Sequence, residues 1–263
     1  MQNNRLYFYN QEVIFRFMVG YLLKKVFANV WNNIVPFFIF NIFSILFGII
    51  FLYNFYLFGQ NAAVFLFLLF VLMFIYTVYD SGQFNAIYEW TQGRRGSINE
   101  LAIGCKRNFR HAAFLYLLRV LMLILVSYII PSAKSLGGFM LIPAFILSWV
   151  VIFVSMALNY YMPLYQEVSS DSSFVTTKKS FIVLFDNFGF SFILALLNTV
   201  FSILSLVTLG LIPGASFLQL MNMEATEILM LKYDYLKNHP EAAGRKISMS
   251  ELIAYEIDKE NYL

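Results

Sequence analysis

Six stretches of this chain stay apolar for close to twenty residues at a time. That pattern limits what the chain can fold into more than any motif it contains. A helix that crosses a bilayer needs roughly 20 predominantly apolar residues. The stretches are Ile34–Leu57, Ala62–Tyr79, Ala112–Ile130, Phe139–Tyr161, Phe188–Thr208 and Leu211–Leu231. The last is interrupted by Gln219, Asn222, Glu224 and Glu227. It is expected to span, the alternative being an amphipathic helix packed on the bundle. Of the 263 residues 60% are hydrophobic and 13% charged, against about 45–50% and about 25% in a soluble domain. Such a chain cannot cover itself with polar surface, so lipid must be part of its solvent.

The remaining composition excludes more than it suggests. A net charge of +3 and the lack of a basic run interleaved with aromatics leave nucleic acid an unexpected partner. A lone Cys105 supports neither an intrachain disulfide nor a cysteine metal cluster. Glu12 and Arg16 interrupt the first residues, and no small-residue cleavage site follows. The first apolar run therefore reads as an uncleaved anchor rather than part of a signal peptide.

Basic residues set orientation, because cytoplasmic flanks are enriched in Lys and Arg. Arg5, Arg16, Lys24 and Lys25 precede the first span. Five more lie between the second and third, from Arg94 to Arg110. Lys178 and Lys179 lie between the fourth and fifth, and five more follow the sixth. That puts 16 of the 18 basic residues on one side. Arg119 is inside the third span, and Lys134 is alone on the opposite side. Both termini are expected to be cytoplasmic.

The inner segments are long and share a spacing. Glu12 precedes Asn32 by 20 residues, Glu89 precedes Asn108 by 19, and Glu167 precedes Asn187 by 20. An apolar run follows each asparagine. The pattern reads as an internal triplication over residues 11–80, 84–161 and 164–236. Residues 1–236 would form one transmembrane domain and 237–263 a cytoplasmic tail. Ile98, Leu101, Ala102, Cys105, Phe109 and Ala112 fall on one helical face, as do Phe174, Phe181, Phe185 and Phe188. Ser97 with Glu100, and Ser248 with Glu251, read as capping boxes. Each apolar stripe on a short, partly basic helix suits the headgroup zone, and each asparagine reads as the N-cap of the next helix. Residues Ser169–Ser173 read as turn and cap residues. The fold class expected is all-α: six spans as three hairpins, each preceded by an amphipathic interfacial helix. Glu89, Asn108, Glu167, Lys179 and Asn187 mark the elbows.

The run Pro163-Leu-Tyr-Gln-Glu167, then Lys179-Ser180, Leu184, Asp186-Asn187-Phe188 and Gly210-Leu-Ile-Pro-Gly214 resembles a group of bacterial six-span inner-membrane proteins. The group includes the YciC-like family and the membrane domain attached to some glycerophosphodiester phosphodiesterases. The resemblance is best over residues 160–230, and Thr177 stands where an alanine is common. It implies a six-span fold and an inner-membrane location. It implies no reaction, and the soluble barrel attached in some members is missing from this chain.

Catalytic signatures are absent: no GxxxxGK[ST], HExxH, CxxC or GxSxG. No catalytic residue, metal ligand or cofactor is expected, and the chain does not read as an enzyme. His111 is expected at a headgroup or solvent contact. Cys105 is expected to pack, with palmitoylation as the alternative. Ionisable residues inside spans are the informative ones, since they face the bundle or a wet cavity. Arg119 lies roughly 13 Å past Arg110 and Glu224 roughly 12 Å before Lys232 along their helices. Their matched depths predict an interior ion pair, with Glu227 and Asn222 lining a cleft beside it. The functional alternative is a site for an anionic headgroup or a proton path. The expected role is a non-enzymatic accessory or scaffold protein, or a lipid- or envelope-related factor. The alternative is a transporter or permease subunit with its polar site near Arg119 and Glu224. Expected partners are the bilayer and a membrane protein, which could be a second copy of the chain. The tail reads equally as a docking handle or a passive end.

Overall fold

The computed structural model describes residues 18–94, 97–168, 171–208, 210–211, 213–242, 247 and 249–261. Glu12, Ser169, Ser170 and Ser248, each given a role above, lie outside them. The described residues form helices and no strand: α1 (residues 18–32), α2 (Ile34–Phe58), α3 (Ala62–Thr91), α4 (Ile98–Arg107), α5 (Phe109–Ile124), α6 (Ile130–Leu136), α7 (Leu141–Glu167), α8 (Ser173–Asp186), α9 (Phe188–Val207), α10 (Ala215–Asn238) and α11 (Met249–Asn261).

Prolines explain two of the interruptions. Pro36 has no N–H for the Asn32 carbonyl, and its ring clashes with that carbonyl. The chain therefore breaks at Asn33, between α1 and α2. Pro131 likewise leaves the Ser127 carbonyl without its usual donor. The chain passes from α5 to α6 through a π turn over Leu125–Ile129, closed by the Ile130 N–H on the Leu125 carbonyl. Asn61 starts α3 by accepting the Val64 N–H at 3.3 Å.

Five helical stretches are long and apolar enough to cross a membrane: Ile34–Phe58, Ala62–Thr91, Phe109–Ala133, Gly138–Glu167 and Phe188–Val207. The sixth expected span is not among them. Its residues fall in α10, which is the most enclosed helix of the protein. Residues Ser216–Ala225 are buried apart from Leu218, under α2, α3, α7 and α9. Protein rather than lipid surrounds its glutamine, asparagine and glutamates, so its low apolarity is tolerated. The second span was expected to end at Tyr79, but α3 continues for twelve more residues. With Tyr79 they hold the longest buried run among the described residues, Tyr79–Ile87.

The core lies where three helices meet: the C-terminal part of α3, the C-terminal part of α7 (Met156–Gln166), and α10. The other ends point away from this core. Large apolar side chains are exposed on α2 from Ile42 onward, on α3 before Ile75, on α5 past Leu117, on α7 before Ile152 and along α9. An apolar surface of this extent is a membrane-contact surface. With a mean hydropathy of +0.70, the protein reads as a multi-pass membrane protein.

Short helices meet long ones at three asparagines. Asn33, Asn108 and Asn187 separate α1 from α2, α4 from α5, and α8 from α9, and all three are buried. The first break falls at Asn33, not at Asn32 as expected. None of the three caps the following helix through its side chain. An N-cap residue is extended and accepts an N–H, whereas these have ψ of 31°, 3° and 40°. Their amides donate instead. Asn33 and Asn187 bond back to the carbonyls of Asn29 and Val183, at 3.1 and 3.2 Å. Asn108 bonds across to the Ser81 carbonyl at 2.8 Å.

The short helices pack through small and polar side chains beside or opposite the apolar stripes read from the sequence. On α4 the inward stripe is buried Gly104 and Asn108 with half-buried Leu101 and Cys105, against α3, while Ile98, Ala102 and Phe109 are exposed. Ser97 does cap α4, accepting the Glu100 N–H at 3.4 Å. The Glu100 carboxylate does not complete the box; it accepts from Asn85. On α8, Thr176, Ser180, Val183 and Leu184 pack inward and Phe174, Ile182 and Phe185 face out. The inward hydroxyls bond to their own helix, Thr176 to the Ser172 carbonyl at 3.1 Å and Ser180 to the Thr176 carbonyl at 2.9 Å. That satisfaction lets a hydroxyl stripe pack dry against α7. The phenylalanines are then free to enter lipid. Spin labels placed singly along 174–185, in a Cys105→Ser background, should report this. Collision with dissolved oxygen should be high at 174, 182 and 185 and low at 176, 180 and 183. A flat profile would mean that α8 lies free of both lipid and protein.

A candidate functional site: two buried charge clusters

The first cluster is built on two successive turns of α3. Thr77, Asp80 and Gln83 follow one another at helical spacing, which places them along one face. Asp80 is 6% exposed. Its carboxylate receives Arg119 of α5 at 2.6 Å on one oxygen and the Gln219 amide of α10 on the other. Arg119 also donates to the Thr77 hydroxyl at 3.2 Å. Gln219 donates to the side-chain amide oxygen (Oε1) of Gln83 at 2.9 Å. The Gln83 amide in turn donates to the Tyr79 hydroxyl at 2.9 Å and to Ser216 at 3.3 Å. Tyr79 donates to the Phe40 carbonyl at 2.8 Å. Asn41 of α2 closes the chain, accepting the Ser216 N–H at 3.1 Å and donating to the Leu211 carbonyl at 3.0 Å. Four helices are joined through side chains that are otherwise costly to bury.

The second cluster surrounds Lys25 of α1. Its ammonium lies 3.2 Å from Glu256 of α11, 3.3 Å from Glu227 and 3.6 Å from Glu224 of α10. Glu224 is fully buried and accepts from the Asn29 amide. Burial alone would lower the Lys25 pKa. The carboxylates of Glu227, Glu224 and Glu256 outweigh it and hold the ammonium above the ordinary lysine range. The tail is tied back to the bundle through this cluster. Helix α11 docks on α1 and α10, with Leu252 buried and Glu256 also accepting from Tyr21 at 3.0 Å.

These clusters correct the expected pairing. Arg119 and Glu224 do not meet; each has a different partner. Depth along a helix was matched, but the helical faces were not. Glu227 joins the Lys25 cluster. Asn222 faces α9, where it accepts from Asn198 at 2.8 Å, so no shared cleft forms among the four residues. The elbow residues serve locally. Glu89 pairs with Arg94 at 2.7 Å, Lys179 with Asp171 at 2.6 Å, and Asn187 accepts from Lys232 at 2.6 Å. Glu167 ends α7 within electrostatic reach of Tyr88. His111 is buried rather than at a headgroup. It shares a hydrogen bond with the Tyr161 hydroxyl at 2.9 Å and stacks on Tyr165 with centroids 3.7 Å apart. Cys105 packs at the α3–α4 contact, and burial pushes its thiol pKa up.

The sequence reading missed Asp80, Gln83 and Lys25. The first two were legible: they continue the helical period of the second apolar run past Tyr79. Lys25 carried no such signal, because its partners are about 200 residues away. Among the described residues no group of three His, Cys, Asp or Glu side chains is arranged to hold a metal; the three glutamates around Lys25 converge on its ammonium. No protein family, curated protein or solved structure matches the chain.

Proposed function

We propose that this is a bacterial inner-membrane protein with a non-enzymatic role: an accessory or scaffold subunit, or a lipid- or envelope-related factor. The observation that supports it is how the intramembrane polar groups are used. Asp80, Arg119, Gln83 and Gln219 are bonded to one another between helices, which is what a load-carrying bundle needs. A permease built on Arg119 and Glu224 would need both in one cleft, and they belong to separate clusters.

In this reading the chain crosses six times as three hairpins, α2–α3, α5–α7 and α9–α10, with α1, α4 and α8 along the cytoplasmic interface. Three repetitions of one plan favour the triplication: short helix, buried asparagine, apolar helix, and a returning helix that enters the common core, through its far end in α3 and α7 and through its first half in α10. The α10 arm returns inside the bundle, cased by the others. The resemblance to the YciC-like group fits the same plan. Both termini are cytoplasmic because that side holds 16 of the 18 basic residues. A reporter fused after Gly138 should read external and one after Leu263 cytoplasmic. An external signal at Leu263 would overturn the six-span arrangement.

Purification in mild detergent, with identification of what co-purifies, tests the role. A stoichiometric membrane-protein partner or a retained lipid is expected. A chain that isolates alone and drives solute uptake in proteoliposomes would replace this reading with the transporter.

A further inference from the structure

A groove of about 490 Å³ opens between α2, α3 and α5. It is within the roughly 300–1,000 Å³ of ordinary small-molecule sites. Its two ends differ. Ser44 and Tyr76 stand at one end, Phe51 and Leu69 at the other, and Gly48 and Leu123 lie between. Ser44 to Phe51 is seven residues, or roughly 10 Å of helix. Exposed apolar side chains flank it, including Phe43, Ile50 and Leu121, so it opens into the membrane-contact surface.

The polar end leads to the first charge cluster. Tyr76 is one turn before Asp80 on α3, and Leu123 one turn after Arg119 on α5. The Tyr76 hydroxyl lies in the field of both charged residues. Arg119 spends two hydrogen bonds on Asp80 and Thr77, out of five N–H donors. Its side chain is 35% exposed. In hydrocarbon no water serves the remaining donors, and an unsatisfied donor there is costly. Arg119 does not itself line the groove; it stands one turn from Leu123 on α5 and is bonded to Thr77 beside Tyr76, so an occupant with oxygen acceptors that reach past the Ser44 and Tyr76 end, and hydrocarbon along the rest, suits the site.

We propose that this groove binds one acyl chain of a phospholipid, with the ester or phosphate oxygens of that lipid accepting the spare Arg119 donors. The inference rests on the membrane reading above and adds a ligand to it. A phospholipid has the required polarity in the required order. A quaternary ammonium amphiphile has the chain but no acceptor.

The full-length protein in phosphatidylcholine vesicles, carrying trace phosphatidylglycerol with a photoactivatable diazirine in one acyl chain, provides the test. Adducts are mapped to peptides by mass spectrometry. In the wild type, labelling over 44–51 and 69–76 should exceed that on the outer face of α9 roughly tenfold, the preference that about 1.4 kcal/mol of charge-assisted hydrogen bonding to Arg119 confers. Gly48→Leu fills the groove. A Cβ at Gly48 meets nothing within 4 Å, and leucine is a better helix former than glycine, so the variant should fold. It should reduce groove labelling to the α9 level and leave α7 and α9 unchanged. A diazirine-bearing alkyl trimethylammonium should show no groove preference.

Even labelling of all apolar faces, or no effect of Gly48→Leu, would overturn the site while leaving the membrane reading intact. Equal groove preference for the ammonium probe would overturn the role of Arg119 in it. A crosslinkable dimer with no lipid adduct in the groove would assign the groove to a second copy of the chain. No labelling on any helix would overturn the membrane reading itself.

Discussion

Asp80→Leu is expected to lower the detergent melting temperature by the equivalent of about 3–5 kcal/mol, the usual cost of leaving one partner of a buried ion pair alone. Arg119 would lose its 2.6 Å partner, and Gln219 would lose the carboxylate it donates to. Arg119→Leu should cost less, because its side chain is more exposed than that of Asp80 and Gln219 still serves the carboxylate. The double variant should recover much of the loss, since replacing both partners by apolar groups is often near neutral. Arg119→Leu combined with Glu224→Leu should instead give losses that add, because the two residues share no partner. Thermal melts of these four variants, of Glu224→Leu alone and of the wild type decide between these outcomes. Simple addition in the Asp80 and Arg119 pair would show that the contact carries no coupling.

Gly104→Ala should destabilise by about 1–3 kcal/mol, the range for an overpacked contact. A Cβ at Gly104 would lie 2.5 Å from the Asn85 Cβ and 2.9 Å from the Gly82 carbonyl oxygen. Neither is the free end of a flexible side chain, so one helix must move. Gly82→Ala meets the same contact from the other side, 2.4 Å from the Cys105 sulfur and 2.7 Å from the Leu101 carbonyl oxygen. The two costs should not add, because they disrupt one interface. Gly20→Ala and Gly48→Ala are the controls. Nothing lies within 4 Å of a Cβ at either, and removing a glycine from a helix stabilises by up to about 1 kcal/mol. Coincident melts for Gly104→Ala and the wild type would mean that α4 does not clamp α3. Loss of the clamp would also free the Asn108 amide from the Ser81 carbonyl, and with it the break between α4 and α5.

The sequence by itself determined that the protein is helical and membrane-embedded, and where most long helices begin. Ile34, Ala62 and Phe188 start helices at the residues where the apolar runs start, because twenty apolar residues have few ways to satisfy a backbone in lipid. The short helices ahead of three of the runs were legible from local spacing, for the same reason that Ser97 and Ser172 were legible as caps: every partner involved is within a few residues. Only the tertiary structure decided which face of each helix turns inward. The phenylalanines of α8 read as a stripe suited to the headgroup zone, and Phe174 and Phe185 do face out; spacing did not show that the hydroxyls of Thr176 and Ser180 would form the packing face, with Phe181 half-buried at its edge. In lipid apolar side chains gain nothing by leaving the solvent, so packing goes to small or internally bonded groups. The same argument covers Gly82 and Gly104, whose value is the close approach they permit. It covers the charges as well. Arg119 and Glu224 are matched in depth, but depth is one coordinate of three. The partner of each was chosen by rotation about its helix, which no spacing within a single helix records.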